Sequence, residues 1–138
     1  MENIAKMHNT ADEISPLTLA FVGDGVYDLF VREYLVRKAN RGVGELNKIK
    51  VSLVNCKSQA QFAKAILPSL SEKELAVYKR GRNAAPKCTP KNGSVADYHS
   101  ATGLEALFGY LYMNNQKQRA YDIFKMIIHI SQTPESEP

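Results

Sequence analysis

Apolar residues recur along this chain every three to four positions and show no sustained two-residue alternation, so the pattern predicts helices throughout. The first helix is expected to open at Ser15-Pro16, with serine as N-cap and proline at the first helical position, where its missing N–H costs nothing. It runs to about residue 36 through Leu17, Phe21, Val22, Val26, Leu29, Phe30 and Leu35. Further helices are expected over about 44–54 and 56–67, the second stopped by Pro68. Ser71 and Glu74 form a capping box that starts a fourth helix, expected to end near Gly81. The polar stretch 82–93, with Pro86, Pro90 and Asn92-Gly93, reads as a loop. Ser94 and Asp97 repeat the capping pattern and open a long helix through Met113, and after Asn114-Asn115 a last helix covers about 117–130. The fold class is therefore all-α, with about six helices in one domain over 14–131. Residues 1–13 are expected to be a flexible N-terminus and 132–138 a disordered polar tail.

Composition narrows this little. A chain of 138 residues can bury a real core, and shares of 44% apolar and 23% charged residues fit a soluble globular protein. No run approaches the roughly 18 apolar residues of a membrane span, so a membrane is not an expected partner. The first residues lack the basic start and apolar core of a secretory signal. Cys56 and Cys88 stand outside any metal-ligating spacing and read as thiols of a reducing cytoplasm, the expected location.

Charge says more. The net charge is +4, but 14–131 holds 17 Lys and Arg against 9 Asp and Glu, because several acids lie near the ends. A compact basic domain favours an anionic partner, nucleic acid first.

Three features carry candidate chemistry. Gly23-Asp24-Gly25 interrupts an apolar helix, where two glycines cost about 2 kcal/mol relative to alanine. Local violations of this kind concentrate at functional sites. Asp28 shares a helix face with Asp24, and two such carboxylates repel unless a cation or a proton intervenes. The plainer reading has the glycines permitting close packing and Asp24 capping a helix or pairing with an arginine. Glu105 is the second feature, the only acid between Tyr98 and Arg119. It reads either as an exposed helix glutamate or, with Asp24, as hard oxygens from two helices that suit Mg²⁺. Third, no acid occurs from Leu75 to Ala96 while Lys79, Arg80, Arg82, Lys87 and Lys91 do, with Asn83 among them. The segment is either a solvated charged loop or an edge that grips RNA phosphates and 2′-hydroxyls.

At these residues the chain resembles the catalytic domain of the ribonuclease III family, in its short Mini branch. Leu19-Ala20-Phe21-Val22-Gly23-Asp24-Gly25-Val26 is similar to the family's signature helix, and Leu104-Glu105-Ala106-Leu107 to the helix with its other invariant glutamate. Lys79-Arg80-Gly81-Arg82-Asn83-Ala84 and Thr89-Pro90-Lys91 resemble segments of the Mini branch. The resemblance implies an all-helical homodimer that needs Mg²⁺, with Mn²⁺ able to substitute. It implies hydrolysis of double-stranded RNA, in maturation of the 23S ribosomal RNA precursor. Asp24 and Glu105 would be the essential metal ligands and Phe21 a dimer-interface residue. Ala20 and Thr102 stand where the wider family has two more acids, so half of a four-carboxylate set is absent, and Asp28 is the candidate to compensate. The alternative is an inactive relative that holds structured RNA through 78–91 without cutting it.

Overall fold

A helix apolar on all sides must be enclosed by other helices, and residues 101–111 make such a run: every one of them except Glu105 is buried. They belong to α5 (Val95–Met113), the central element in the computed structural model, which describes residues 10–86 and 94–132. Around α5 pack α1 (Pro16–Lys38), α3 (Cys56–Ile66), α4 (Glu72–Ala84) and α6 (Lys117–Gln132). The short α2 (Val43–Val54) lies against α1 and α3. Six α-helices and no strand are therefore found among the described residues, and none of these helices is long and apolar enough to cross a membrane.

Tyr27 of α1 anchors the core. Its ring meets Phe108 of α5 and Phe124 of α6 edge to face, with centroids 5.4 and 6.0 Å away. Its hydroxyl donates to the Leu53 carbonyl at 2.9 Å, which fastens α2 to α1. On the far side Glu74 of α4 receives a two-pronged bond from the Arg119 guanidinium of α6, at 2.8 and 2.9 Å. Arg119 holds the Glu74 carboxyl below its ordinary range, against the opposing effect of burial.

The helix starts at Ser71 and Ser94 follow the sequence. Both capping boxes are complete, with serine hydroxyls accepting from the Glu74 and Asp97 amides at 3.1 Å. Ser15 occupies its N-cap position, yet its hydroxyl donates to the Thr18 hydroxyl at 2.8 Å instead of receiving a backbone amide. Pro68 ends α3 as expected, through a 3-10 turn over Leu67–Ser69.

Three expectations change. Gly81 does not stop α4, which continues through Arg82, Asn83 and Ala84. A Cβ at Gly81 would come within 2.5 Å of the Ala106 Cβ, so this glycine serves the α4–α5 contact and not a helix end. The N-terminal segment is ordered sooner than 14: Ala11–Glu13 is a 3-10 turn with Ala11 buried. Asp12 there accepts from Lys73 at 2.7 Å and from the Tyr110 hydroxyl at 3.3 Å. At the other end α6 takes in Ser131 and Gln132. Residues 1–9, 133–138 and 87–93, the last with Lys87, Cys88, Thr89-Pro90-Lys91 and Asn92-Gly93 of the expected loop, lie outside the described residues.

Candidate active site

The site begins with two glycines. At the crossing of α1 and α5 a Cβ on Gly23 would stand 1.6 Å from the Glu105 carbonyl oxygen, and one on Gly109 only 1.8 Å from that of Leu19. Such distances leave no room for any side chain, so the two backbones touch. The contact brings the residue after Gly23 beside the helix turn that carries Glu105. Gly25 is different: nothing lies within 4 Å of a Cβ built there. The packing reading of the glycines therefore holds for Gly23 and not for Gly25. It does not compete with a functional reading of Asp24, because the packing is what positions the acid.

Asp24 is exposed, and it meets the Glu105 carboxyl rather than an arginine. Glu105 is partly buried among fully buried neighbours, Leu104, Ala106 and Leu107. Burial, then the hydrogen bond with Asp24, then the charge of Asp24 push its carboxyl up to about 9. Near neutral pH and without a cation, Glu105 thus keeps its proton and stays hydrogen-bonded with Asp24. Burial and then the charge of Glu105 raise the Tyr27 hydroxyl as well.

This shift has a sign that can be measured. A carboxyl whose folded pKa lies above its unfolded value binds a proton more readily in the folded state. Metal-free protein should therefore lose stability as pH climbs from about 4.5 towards about 9. Glu105→Gln should flatten that slope in thermal melts from about pH 5 to 9. Asp28 and Glu74, whose carboxyls are lowered, act in the opposite direction and only as acid is approached. Equal slopes in the two proteins would contradict the assignment.

Asp28 does not join the pair. Its Oδ1 lies 3.2 Å from Lys50 Nζ of α2, and its Oδ2 pairs with Arg32 Nε one turn along α1. Burial raises its carboxyl, but the bonds from Arg32 and Lys50 outweigh this and leave it lowered. No group of three or more His, Cys, Asp or Glu that could hold a metal occurs among the described residues. Ala20 and Thr102 are both buried, and the Thr102 hydroxyl donates to the Tyr98 carbonyl at 2.9 Å. Neither offers a ligand, so the candidate metal site is a carboxylate pair.

The described part of the basic segment, Lys79 to Asn83, falls on the last turns of α4. Lys79, Arg80 and Asn83 are exposed, while Arg82 lies over the Tyr78 ring at 5.8 Å and bonds Asn83 Oδ1 at 3.4 Å. Arg80 acts electrostatically on Asp12 and Tyr110, so the segment faces more than one direction. Phe21 is 82% exposed on α1. His99 Nε2 reaches the Pro86 carbonyl at 3.2 Å and tethers the chain after α4 to α5. Lys50 carries no local signal in the sequence, because its contact with Asp28 joins two helices.

The family model for the Ribonuclease III domain matches residues 17–116, which take in both α1 and α5 with Asp24 and Glu105. The chain belongs to the ribonuclease III family. It is 39% identical over 119 residues to Mini-ribonuclease 3 of Clostridium tetani, covering 86% of this chain and 79% of that protein. It is 42% identical to Mini-ribonuclease 3 of a Thermoanaerobacter species, covering 85% and 82%. These likenesses put the chain in the Mini-ribonuclease 3 branch of that family. A crystal structure of a Fusobacterium nucleatum protein superposes with a TM-score of 0.78 at 30% identity, over 86% of this chain and 95% of that one.

Proposed function

We propose that this chain is a divalent-metal-dependent endoribonuclease that hydrolyses phosphodiester bonds in double-stranded RNA, acting as a homodimer in the cytoplasm. The observation that carries the reading is the Asp24–Glu105 pair, two hydrogen-bonded carboxyls from crossing helices, with that of Glu105 pushed up to about 9. Hard oxygen donors with one extra proton between them suit Mg²⁺, or Mn²⁺, which keeps several waters and needs few protein ligands. Bound by Asp24 and Glu105, the cation would supply Lewis-acid chemistry at the phosphodiester. Glu105 would hold the cation as a carboxylate, and Asp24, exposed beside it, would be open to the RNA backbone. Tyr27, buried in the core, lies near enough for the charge of Glu105 to act on its hydroxyl.

The homodimer is supported by the exposed apolar row along α1, where Leu17, Phe21, Leu29 and Val36 stand out of the surface. A two-fold pairing of such rows would set two acid pairs in one groove, one for each strand of a duplex. Phe21→Glu should convert the dimer to a monomer in sedimentation experiments, and an unchanged dimer would contradict this. Lys79, Arg80, Arg82 and Asn83 are the described candidates for gripping phosphates and 2′-hydroxyls. The 23S ribosomal RNA precursor as substrate rests on the resemblance to the Mini branch.

The test is incubation of the protein and Mg²⁺ with an RNA duplex and with one of its strands alone. The expected result is cleavage of the duplex only, abolished by Asp24→Asn. Duplex binding without cleavage would replace this reading with that of an inactive RNA-binding relative.

A further inference from the structure

Along α1, Asp24, Asp28 and Arg32 follow one another at four-residue spacing, so they lie in a row on one face. Each step rises about 6 Å, a distance comparable to that between neighbouring phosphates on one RNA strand. The row runs beside the exposed Phe21 and Leu29, and the exposed Val36 continues it one turn past Arg32. Lys50 enters it from α2 with its side chain only 19% exposed and Nζ 3.2 Å from Asp28 Oδ1. Arg32 Nε takes the other Asp28 oxygen.

The three groups together leave one positive charge beside the acid pair. Asp28 occupies one donor direction of each cation, and the ammonium and the guanidinium have more.

We propose that Lys50 and Arg32, steered by Asp28, form a phosphate-binding subsite that grips the RNA strand one to two phosphates away from the Asp24–Glu105 pair. This rests on the reading of that pair as the cleavage site. Asp28 is a positioning residue, and the two cations touch the substrate.

Two variants that break the same ion pair separate this subsite from a structural tie. Binding is measured on a blunt RNA duplex across a salt series, with Ca²⁺ in place of Mg²⁺ so that affinity is read without cutting. Lys50→Gln should weaken binding about tenfold and reduce the slope of log affinity against log salt by about one. Asp28→Asn frees both cations, so affinity should stay equal or rise. Arg32→Gln, on a well-exposed side chain, should also weaken binding and lower the slope, and it serves if Lys50→Gln does not fold. Equal losses in Lys50→Gln and Asp28→Asn, or an unchanged slope in Arg32→Gln, would overturn the subsite. Wild-type protein that binds the duplex but leaves it uncut in Mg²⁺ would instead overturn the nuclease reading, with the salt slopes unaffected.

Discussion

Asp24→Asn and Glu105→Gln should each lower cleavage of duplex RNA by at least about a thousandfold, the equivalent of about 4 kcal/mol in the transition state. The expectation follows from how few donors the site has. Among the described residues no third His, Cys, Asp or Glu joins the pair, so the loss of either acid leaves one carboxylate. In a richer cluster other acids would share the burden. The two substitutions act on one unit, and the double variant should therefore fall no further than the worse single one. Duplex binding should survive in all three, because phosphates are held elsewhere. The fold should survive too, and metal-free Glu105→Gln should melt above wild type in mildly alkaline buffer, where an acid held up to about 9 burdens the native state. Single-turnover cleavage alongside duplex binding checks this, and a residual rate within tenfold of wild type would contradict it.

Gly23→Ala should be the most damaging single methyl group in the protein. A Cβ there would stand 1.6 Å from the Glu105 carbonyl oxygen, a backbone atom that cannot rotate away. The helices would have to part along their whole crossing, where Gly109 presses as closely on Leu19. A cost above about 4 kcal/mol is expected, close to the entire stability of many domains of this size. Gly25→Ala, two residues on and facing open space, should leave the fold intact and gain up to about 1 kcal/mol from helix propensity. Thermal unfolding followed by circular dichroism distinguishes the pair. A Gly23→Ala protein that melts with wild type would refute the backbone contact that positions the site.

These two substitutions also show how far the sequence could be read. The apolar period and the capping boxes at Ser71 and Ser94 placed the helices, because those signals are local. The glycines around Asp24 marked the right turn of α1, but packing and function look alike in sequence, and at Gly23 both are true. Gly81 misled for the same reason: a glycine near a helix end is also what a close crossing needs. Asp28 sits on the face its spacing requires, yet its partner Lys50 arrives from α2, and no pattern along one helix announces a contact made by another. The pairing of Asp24 with Glu105 spans two helices in the same way, and there the family resemblance supplied what local patterns could not.

The most direct measurement is calorimetric titration of Mn²⁺ into metal-free protein near neutral pH, repeated in buffers of different ionisation enthalpy. If Asp24 and Glu105 together hold the cation, each binding event displaces the proton that Glu105 carries, since its carboxyl lies at about 9 without metal. Close to one proton should be released per bound ion in wild type, and both binding and release should be lost or sharply reduced in Glu105→Gln. Binding that is equally tight in the two proteins, or that releases no proton, would show that the cation sits elsewhere and that this pair is not the cleavage site.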